Sequence, residues 1–228
     1  MKNVFRIVFV LLLVMVVPSA RVLAADSTNI VIDGNFQDWI GKPYVEDPKH
    51  DIKSPWLDFL GVGYYADDKY LYLHVIRQAA NKSEPWHFNV VMLNGTKGPT
   101  LPQYLFGSTK PVYAPQFDVT TYYASNSSHN GIVVKVSFNG QQLESTFSSN
   151  NNAKEIEFRV PLASVGLDGV NKEVKFVLKS DVKDVVDWAP ERPIIITTGP
   201  TLWQISSVFF FIIVSAAAYR VYKNKASV

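Results

Sequence analysis

The sequence predicts an all-β fold, an antiparallel β-sandwich of jelly-roll-like architecture. Apolar and polar residues alternate in several segments, which is the pattern of strands with one buried face. Clusters of Gly, Pro, Asn and Ser separate these segments, as they do between short strands. The one helical signal is PLASVG at 161–166, where Pro suits the first helical position and Gly suits the stop. These observations favour packed sheets over an α/β fold.

Two hairpins are predicted before residue 140. The segment 60–77, LGVGYYADDKYLYLHVIR, contains two aromatic-rich strands joined by an acidic turn at 66–69. A second hairpin is expected from residues 117–125 and the strand that begins at Ile132. The segment TKGPTLPQ at 96–103 is predicted to be a loop.

The alternation is clearest in three strands, at 131–138, 155–160 and 173–180. In KEIEFRVP, the apolar residues Ile156, Phe158 and Val160 lie on one side of the strand and the charged residues lie on the other. Each of these strands is therefore predicted to bury one face.

Residues 1–24 have the features of a secretory signal peptide. Two basic residues precede the apolar run Ile7–Val17, and a small-residue stretch follows, so cleavage is expected after Ala24 or Ala25. The apolar run is shorter than the roughly 20 residues that a membrane-spanning helix needs. The chain is therefore predicted to be exported.

Residues 201–220 are predicted to form a transmembrane helix, followed by a short basic cytoplasmic tail at 221–228. The stretch 202–219 carries no charge and is long enough to cross the hydrocarbon. Basic residues close it, which favours a cytoplasmic C-terminus. Residues 25–200 are accordingly expected to form a domain outside the membrane, at the cell surface.

Charge and cysteine content narrow the functional classes of this outer domain. The chain has 22 Lys plus Arg and 20 Asp plus Glu, but three basic residues precede residue 25 and three follow residue 200. The remaining 16 basic residues against all 20 acids give the domain a charge of about −4. A nucleic-acid partner would require clustered Lys and Arg residues, and the sequence of this domain shows no such cluster. The lack of Cys excludes disulfides and thiolate chemistry.

The motif IVIDGNFQDW, at 30–39, combines a strand, a turn and a tryptophan. Asp33 is expected to begin the turn, after which Trp39 folds back as a lid over one end of the core. Asp33 and Asp38 are expected either to cap backbone amides or, with Asp58, to supply oxygen ligands to calcium. Capping is the simpler interpretation, and calcium is the alternative.

The order of several motifs resembles the carbohydrate-binding module family 9-like and DOMON-like β-sandwiches. IVIDGNFQDW is followed by DFLGVGYYADDKYLYLHV, and much later by EIEFRVPLASVGLDG and VVDWAP. Together these motifs cover most of residues 29–190. The resemblance implies a surface-protein sandwich that binds sugar or, as in some DOMON-like folds, haem.

The whole chain resembles Gram-positive surface proteins that carry a Firmicu-CTERM sorting domain. The resemblance rests on GPTLW, the apolar span and the basic tail. It implies that Gly199, Pro200, Arg220 and Lys223 belong to a sorting signal read by an exosortase-like membrane protease. No LPxTG motif precedes the span, so an ordinary sortase does not fit.

Sugar binding requires aromatic rings that face solvent. Trp56 and Trp86 each follow a proline in loop-like sequence, and they are the first predicted ligand-binding residues. Tyr104, Tyr122 and Tyr123 come next. The alternative is that these rings pack in the core or at its rim.

The candidates for haem, zinc and catalysis are few. His87 or His74 could pair with Met92 as axial haem ligands, although the apolar strand around Met92 favours a core position. The four His residues show no zinc-ligand spacing. No nucleophile elbow, phosphate-binding loop or HExxH motif occurs, so no enzyme activity is predicted.

The sequence therefore predicts a non-catalytic, surface-displayed sandwich. Its predicted partners are the membrane, an exosortase-like protease and a glycan or other cell-envelope polymer, with no nucleic acid. Two alternatives stay open: a structural envelope cargo that binds no sugar, and a haem-binding DOMON-like domain.

Overall fold

The computed structural model describes residues 30–48, 52–78, 85–125, 130–148, 154–182 and 185–199. Residues 30–200 form one compact unit, and the second unit of the chain lies outside the described ranges. Within those ranges, no helix has the length and apolar character needed to cross a membrane. The predicted signal peptide, transmembrane helix and cytoplasmic tail fall outside them and stay predictions.

Most of the described chain is in strands. They are β1 (Tyr44–Glu46), β2 (Phe59–Ala66), β3 (Tyr70–Arg77), β4 (Trp86–Met92), β5 (Leu101–Gln103), β6 (Val112–Ala114), β7 (Gln116–Ser125), β8 (Asn130–Phe138), β9 (Gln141–Ser148), β10 (Glu155–Pro161), β11 (Glu173–Val182) and β12 (Val185–Thr197). Three 3₁₀ helices span Phe36–Trp39, Leu105–Gly107 and Leu162–Val165. The predicted all-β class is confirmed.

The strands form two larger antiparallel sheets and one small hairpin. The four-stranded sheet has the order β1-β2-β3-β10, the six-stranded sheet has the order β12-β11-β4-β7-β8-β9, and β5 pairs with β6. Both predicted hairpins are confirmed, because β2 pairs with β3 and β7 pairs with β8. The predicted loop at 96–103 is wrong in its last three residues, which form β5 and pair with β6.

The two larger sheets bury their apolar faces against each other. On β10, Ile156, Phe158 and Val160 are at most 1% exposed, as the alternation predicts. They belong to one cluster with Phe88 and Phe176 of the six-stranded sheet, and the rings of Phe88 and Phe158 lie 5.7 Å apart. Burying each such side chain contributes roughly 1.5–3 kcal/mol. This shared core makes the domain a β-sandwich.

The helical turn predicted after Pro161 is confirmed. Leu162 and Val165 are fully buried, and Gly166 ends the 3₁₀ helix with a φ of 74°. Only glycine adopts this left-handed conformation without a steric penalty, and a Cβ there would also collide with the hydroxyl of Thr96. The turn therefore ends where the sequence predicts.

Residues 30–43, named here the N-terminal strap, lie on the outer face of the four-stranded sheet. Trp39 is 7% exposed and packs over Gly63, where an added Cβ would lie 3.3 Å from the indole Cε3. The ring of Phe36 stacks on the ring of His74, with centroids 4.7 Å apart. The expected position of Trp39 over one end of the core is therefore wrong, because the indole covers a sheet face.

Glu157 of β10 anchors the strap. Its Oε1 accepts the backbone N–H groups of Asp33, at 2.8 Å, and Gly34, and its Oε2 accepts the indole N–H of Trp39 at 2.8 Å. The side chain is 2% exposed. Burial raises the pKa of Glu157, while the three donors favour its ionised form. Glu157 therefore lies on the polar side of β10 but is buried, and it holds the strap against the sheet.

His74 of β3 lies beneath the aromatic rings of the strap and is 7% exposed. Its Nε2 lies 2.7 Å from Oε1 of Glu155. Burial lowers the pKa of His74, although the carboxylates of Glu155 and Asp38 oppose this effect. The strap therefore covers an imidazole whose Nε2 is hydrogen-bonded to Glu155 and whose neutral form is favoured by burial.

Replacing Glu157 with Ala should loosen the strap, because three N–H donors lose their acceptor. The free energy of unfolding should fall by about 2–3 kcal/mol, since each buried unpaired donor costs about 1–3 kcal/mol and water restores part of the loss. Urea denaturation followed by tryptophan fluorescence measures the change. The control Glu173→Ala, at an exposed position of β11, should cost less than about 0.5 kcal/mol. Equal losses would show that Glu157 is not an anchor.

The lowered pKa of His74 predicts a strap that loosens in acid. Because the folded pKa lies below 6.5, the unfolded chain takes up the proton more readily as the pH falls through 6.5. The stability that neutral His74 contributes is complete above pH 6.5 and is lost progressively below it.

Wild type and His74→Gln should be compared by urea denaturation at about pH 7.5 and about pH 5.5. The unfolding free energy of the wild type, relative to the variant, should be smaller at the lower pH. Groups present in both proteins, including Glu157, cancel in this difference. A difference that grows on acidification would mean that protonated His74 is stabilised by Glu155.

Candidate functional site

The outer face of the six-stranded sheet carries two rows of side chains that run across neighbouring strands. Row one comprises Trp188 of β12, Lys179 of β11, Asn89 of β4, Asp118 of β7 and Ser137 of β8. Row two comprises His87 of β4, Thr120 of β7, Lys135 of β8 and Ser145 of β9. Their sequence neighbours, such as Val90, Val119 and Leu178, are buried in the core. We name this surface the outer binding face.

Hydrogen bonds between strands hold the polar side chains of both rows in place. In row one, the amide Nδ2 of Asn89 donates to Oδ1 of Asp118 at 2.7 Å. In row two, Oγ1 of Thr120 and Nδ1 of His87 share a hydrogen bond of 3.2 Å. Asp118 and His87 are exposed, whereas Asn89 and Thr120 are half-buried. The face therefore offers donors and acceptors that are already oriented toward solvent.

Aromatic rings lie at one end of row one. The rings of Phe106 and Trp188 are 5.9 Å apart at an interplanar angle of 53°. Phe106 is 41% exposed and has a φ of 51°, which a bulky residue rarely adopts. Tyr104, just before the same 3₁₀ helix, is 53% exposed. The exposed ring of Phe106 is therefore held by a backbone conformation that costs free energy.

The segment that presents these rings, residues 93–115, is fixed to the sheet. Leu93, Leu105 and Ala114 pack with Val91 and Val177 in a cluster of their own. Nε2 of Gln103, which is 2% exposed, donates to Oε1 of Gln116 at 3.0 Å. The aromatic positions are therefore held by a small second core.

A lysine lies over an aromatic ring at each side of the face. Nζ of Lys179 is 5.6 Å from the centroid of the Trp188 ring, and Nζ of Lys135 is 5.1 Å from that of Tyr122. Lys179 and Trp188 are direct cross-strand neighbours, which accounts for the first pair. Each ring therefore stands beside a positive charge.

The structure separates the aromatic residues that the sequence predicts for ligand binding. Tyr122 lies on the outer binding face, and Tyr104 lies in the segment that borders it. Trp56 is 49% exposed but belongs to the turn before β2 of the other sheet. Tyr123 is partly buried against the main core.

The expectation of an exposed ring is wrong for Trp86. The side chain is 1% exposed and packs against Phe59, with ring centroids 5.2 Å apart. The guanidinium of Arg77 lies 4.5 Å from its ring centroid, and burial lowers the pKa of Arg77 to about 10. Because Trp86 alternates inward on β4, the preceding proline marks the start of a core strand.

The structure does not bring together the residues considered as haem ligands, and Met92 has the core position that the sequence favours. His87 and Met92 lie on opposite faces of β4, since His87 is exposed and Met92 is 0% exposed in the core. His74 lies on the outer face of the other sheet, beneath the strap. Neither histidine therefore faces Met92 across a space that could admit a macrocycle.

The carboxylates considered for calcium have separate roles. Oδ1 of Asp33 accepts the N–H of Asn35 at 2.8 Å, and Oδ2 of Asp38 accepts that of Val31 at 2.7 Å, so both cap amides. Asp58 is 0% exposed and immediately precedes β2. In the part of the chain that the structure describes, no three Asp, Glu or His side chains converge to hold a metal. Calcium binding stays a prediction.

Of the predicted sorting-signal residues, Gly199 is described, whereas Pro200, Arg220 and Lys223 lie outside the described residues. The N–H of Gly199 donates to the carbonyl of Ala66 at 3.2 Å. Thr198 is 1% exposed, and its hydroxyl donates to the carbonyl of Gly169. The sandwich is therefore hydrogen-bonded up to residue 199.

Trp188 and Phe106 were not among the residues predicted from the sequence. The alternation in VVDWAP could have identified Trp188, since Asp187 and Ala189 are buried and Trp188 faces the other way. No sequence pattern indicates Phe106, because its exposure depends on a left-handed backbone conformation.

No protein-family model matches the chain, and neither curated proteins nor solved structures give a significant match. The function of the outer binding face is therefore inferred from its geometry and from the sequence.

Phe106→Asn separates the strain at this position from the use of its ring. Asn adopts left-handed conformations more readily than Phe, so the free energy of unfolding should stay within about 1 kcal/mol of the wild type. The loss of the ring should expose Trp188 and raise the fraction of tryptophan fluorescence that acrylamide quenches. Tyr113→Asn, at a 65% exposed position, should leave quenching unchanged. A loss above about 2 kcal/mol would show that Phe106 is structural.

Proposed function

We propose that the protein is a non-catalytic binding domain that holds a glycan of the cell envelope on its outer binding face. The observation that carries this proposal is the combination of aromatic rings with oriented polar side chains: Trp188 and Tyr122 are half-buried on the sheet face, and the exposed Phe106 lies beside Trp188. Sugar rings have apolar faces and many hydroxyl groups, so they pair with aromatic surfaces and with side chains that both donate and accept.

The geometry favours binding over catalysis. Asp118, the carboxylate of row one, accepts a hydrogen bond from Asn89 at 2.7 Å. The Thr120–His87 pair lies two residues away from the Asn89–Asp118 pair along β7 and β4. The strained Phe106 supplies contact area rather than a reacting group. These features suit recognition of a surface rather than cleavage of a bond.

The sequence supports placement of this domain outside the cell. The proposed arrangement comprises a signal peptide at 1–24, a membrane helix at 201–220 and a cytoplasmic tail at 221–228. The resemblance to Firmicu-CTERM proteins adds an exosortase-like protease as a partner and a Gram-positive origin. The resemblance to carbohydrate-binding module family 9-like sandwiches, with their jelly-roll-like architecture, supports a sugar as the ligand.

A glycan array probed with the detergent-solubilised full chain tests the proposal. Trp188→Ala and Phe106→Ala should each weaken binding by about 30-fold, the equivalent of the roughly 2 kcal/mol typical of a central aromatic contact. Trp56→Ala removes a ring that is more exposed, at 49%, from another part of the domain and should leave affinity unchanged. Far-ultraviolet circular dichroism of each variant controls for folding.

If no glycan is bound by the wild type, a structural envelope role replaces the proposal. If Trp56→Ala is the variant that abolishes binding, the ligand lies elsewhere on the domain.

A further inference from the structure

We infer that the ligand of the outer binding face is an anionic glycan chain, bearing carboxylate or phosphate groups. This inference rests on the proposed function and names the chemical class of its ligand. It starts from the two lysine–aromatic pairs, Lys179 with Trp188 and Lys135 with Tyr122, which occupy separate parts of one face.

The lysines discriminate between neutral and anionic ligands. A neutral sugar that stacks on the lysine-covered face of Trp188 or Tyr122 has to displace the ammonium group, which forfeits the attraction between cation and ring. An anionic sugar lets the ammonium group stay near the ring and adds an ion pair. The affinity of the face is therefore higher for an anionic sugar than for a neutral one.

The charge of the face is complementary to such a ligand. Lys135 and Lys179 lie in the two rows, and Lys175 lies four residues before Lys179 on the same side of β11. Asp118 and Glu173 oppose them: Glu173 is exposed and lies two residues before Lys175 on the same side of β11, whereas the carboxylate of Asp118 is engaged by the amide of Asn89. The domain as a whole carries about −4 by composition. With three lysines and two carboxylates, the described part of the face is more positive than the domain as a whole, which favours an anionic over a neutral ligand there.

The spacing of the two pairs requires an extended ligand. Trp188 and Tyr122 are separated by three strand spacings, about 14 Å, and by four residues along β7, again about 14 Å, so the diagonal is about 20 Å. The polar rows lie between them. A single sugar cannot reach both rings, so the ligand is a chain of several units.

A matched ligand pair tests the inference on the full chain in zwitterionic detergent. Oligogalacturonate and its fully methyl-esterified form share one sugar backbone and differ in charge. The acid form should bind about tenfold more tightly at 50 mM NaCl, and this advantage should shrink at about 300 mM NaCl because salt screens exposed charges. An oligomer of glycerol phosphate tests phosphate as the source of charge. If it binds more tightly than the methyl ester, the face also accepts phosphate groups.

Two variants assign the effect to the lysines. The double variant Lys135→Gln with Lys179→Gln should lower affinity for the acid form about tenfold and leave affinity for the ester unchanged. The matched control, Lys69→Gln with Lys172→Gln, removes two exposed lysines away from the face and should change neither.

The outcomes that overturn the inference differ from those that overturn the proposed function. Equal binding of the acid and ester forms would remove the inference and keep the glycan site. Equally tight binding of polyglutamate, a polyanion without sugar rings, would also remove it, since charge alone would then suffice. If none of the glycans binds, the proposed function fails together with the inference.

Discussion

The hydrogen bonds from the N-terminal strap to the buried carboxylate of Glu157 determine which face of the sandwich is open. Three N–H groups converge on this side chain, and Trp39 and Phe36 then cover the sheet around His74. Gly63 lets the indole pack closely, since an added Cβ there would lie 3.3 Å from Cε3 of Trp39 and 3.2 Å from Cβ of His74. The four-stranded sheet is therefore covered on its outer side, whereas the six-stranded sheet presents rows of polar side chains and rings.

Exposed rings and a strained backbone are costs that a purely structural sheet face would avoid. Phe106 adopts a conformation unfavourable to its side chain and still exposes 41% of its surface, beside Trp188. The segment around it is fixed by its own apolar cluster and by the Gln103–Gln116 hydrogen bond. Rigid aromatic contacts of this kind lose little entropy on binding. The pairing of β11 with β12 places Lys179 beside the ring of Trp188, where we infer that it favours an anionic ligand.

The sequence predicts local structure here better than it predicts surfaces. Alternation identifies the buried side of β10, and Gly166 identifies the end of a turn, because both depend on neighbouring residues. The role of Glu157 is not predictable in this way, since its partners lie 118–124 residues earlier in the chain. Trp86 and Trp188 show the same limit: both are tryptophans in strands, but one alternates toward the core and the other away from it. Sheet pairing, not composition, decides which ring a ligand can reach.

Hydrogen–deuterium exchange of the full chain, with and without oligogalacturonate, tests most directly whether the open face is the binding face. We expect slower exchange in β11, in β12 around Trp188 and in the segment at 104–107 when the glycan is present. Exchange in β2, β3, β10 and the strap should not change. Protection confined to the strap and the four-stranded sheet would contradict the account.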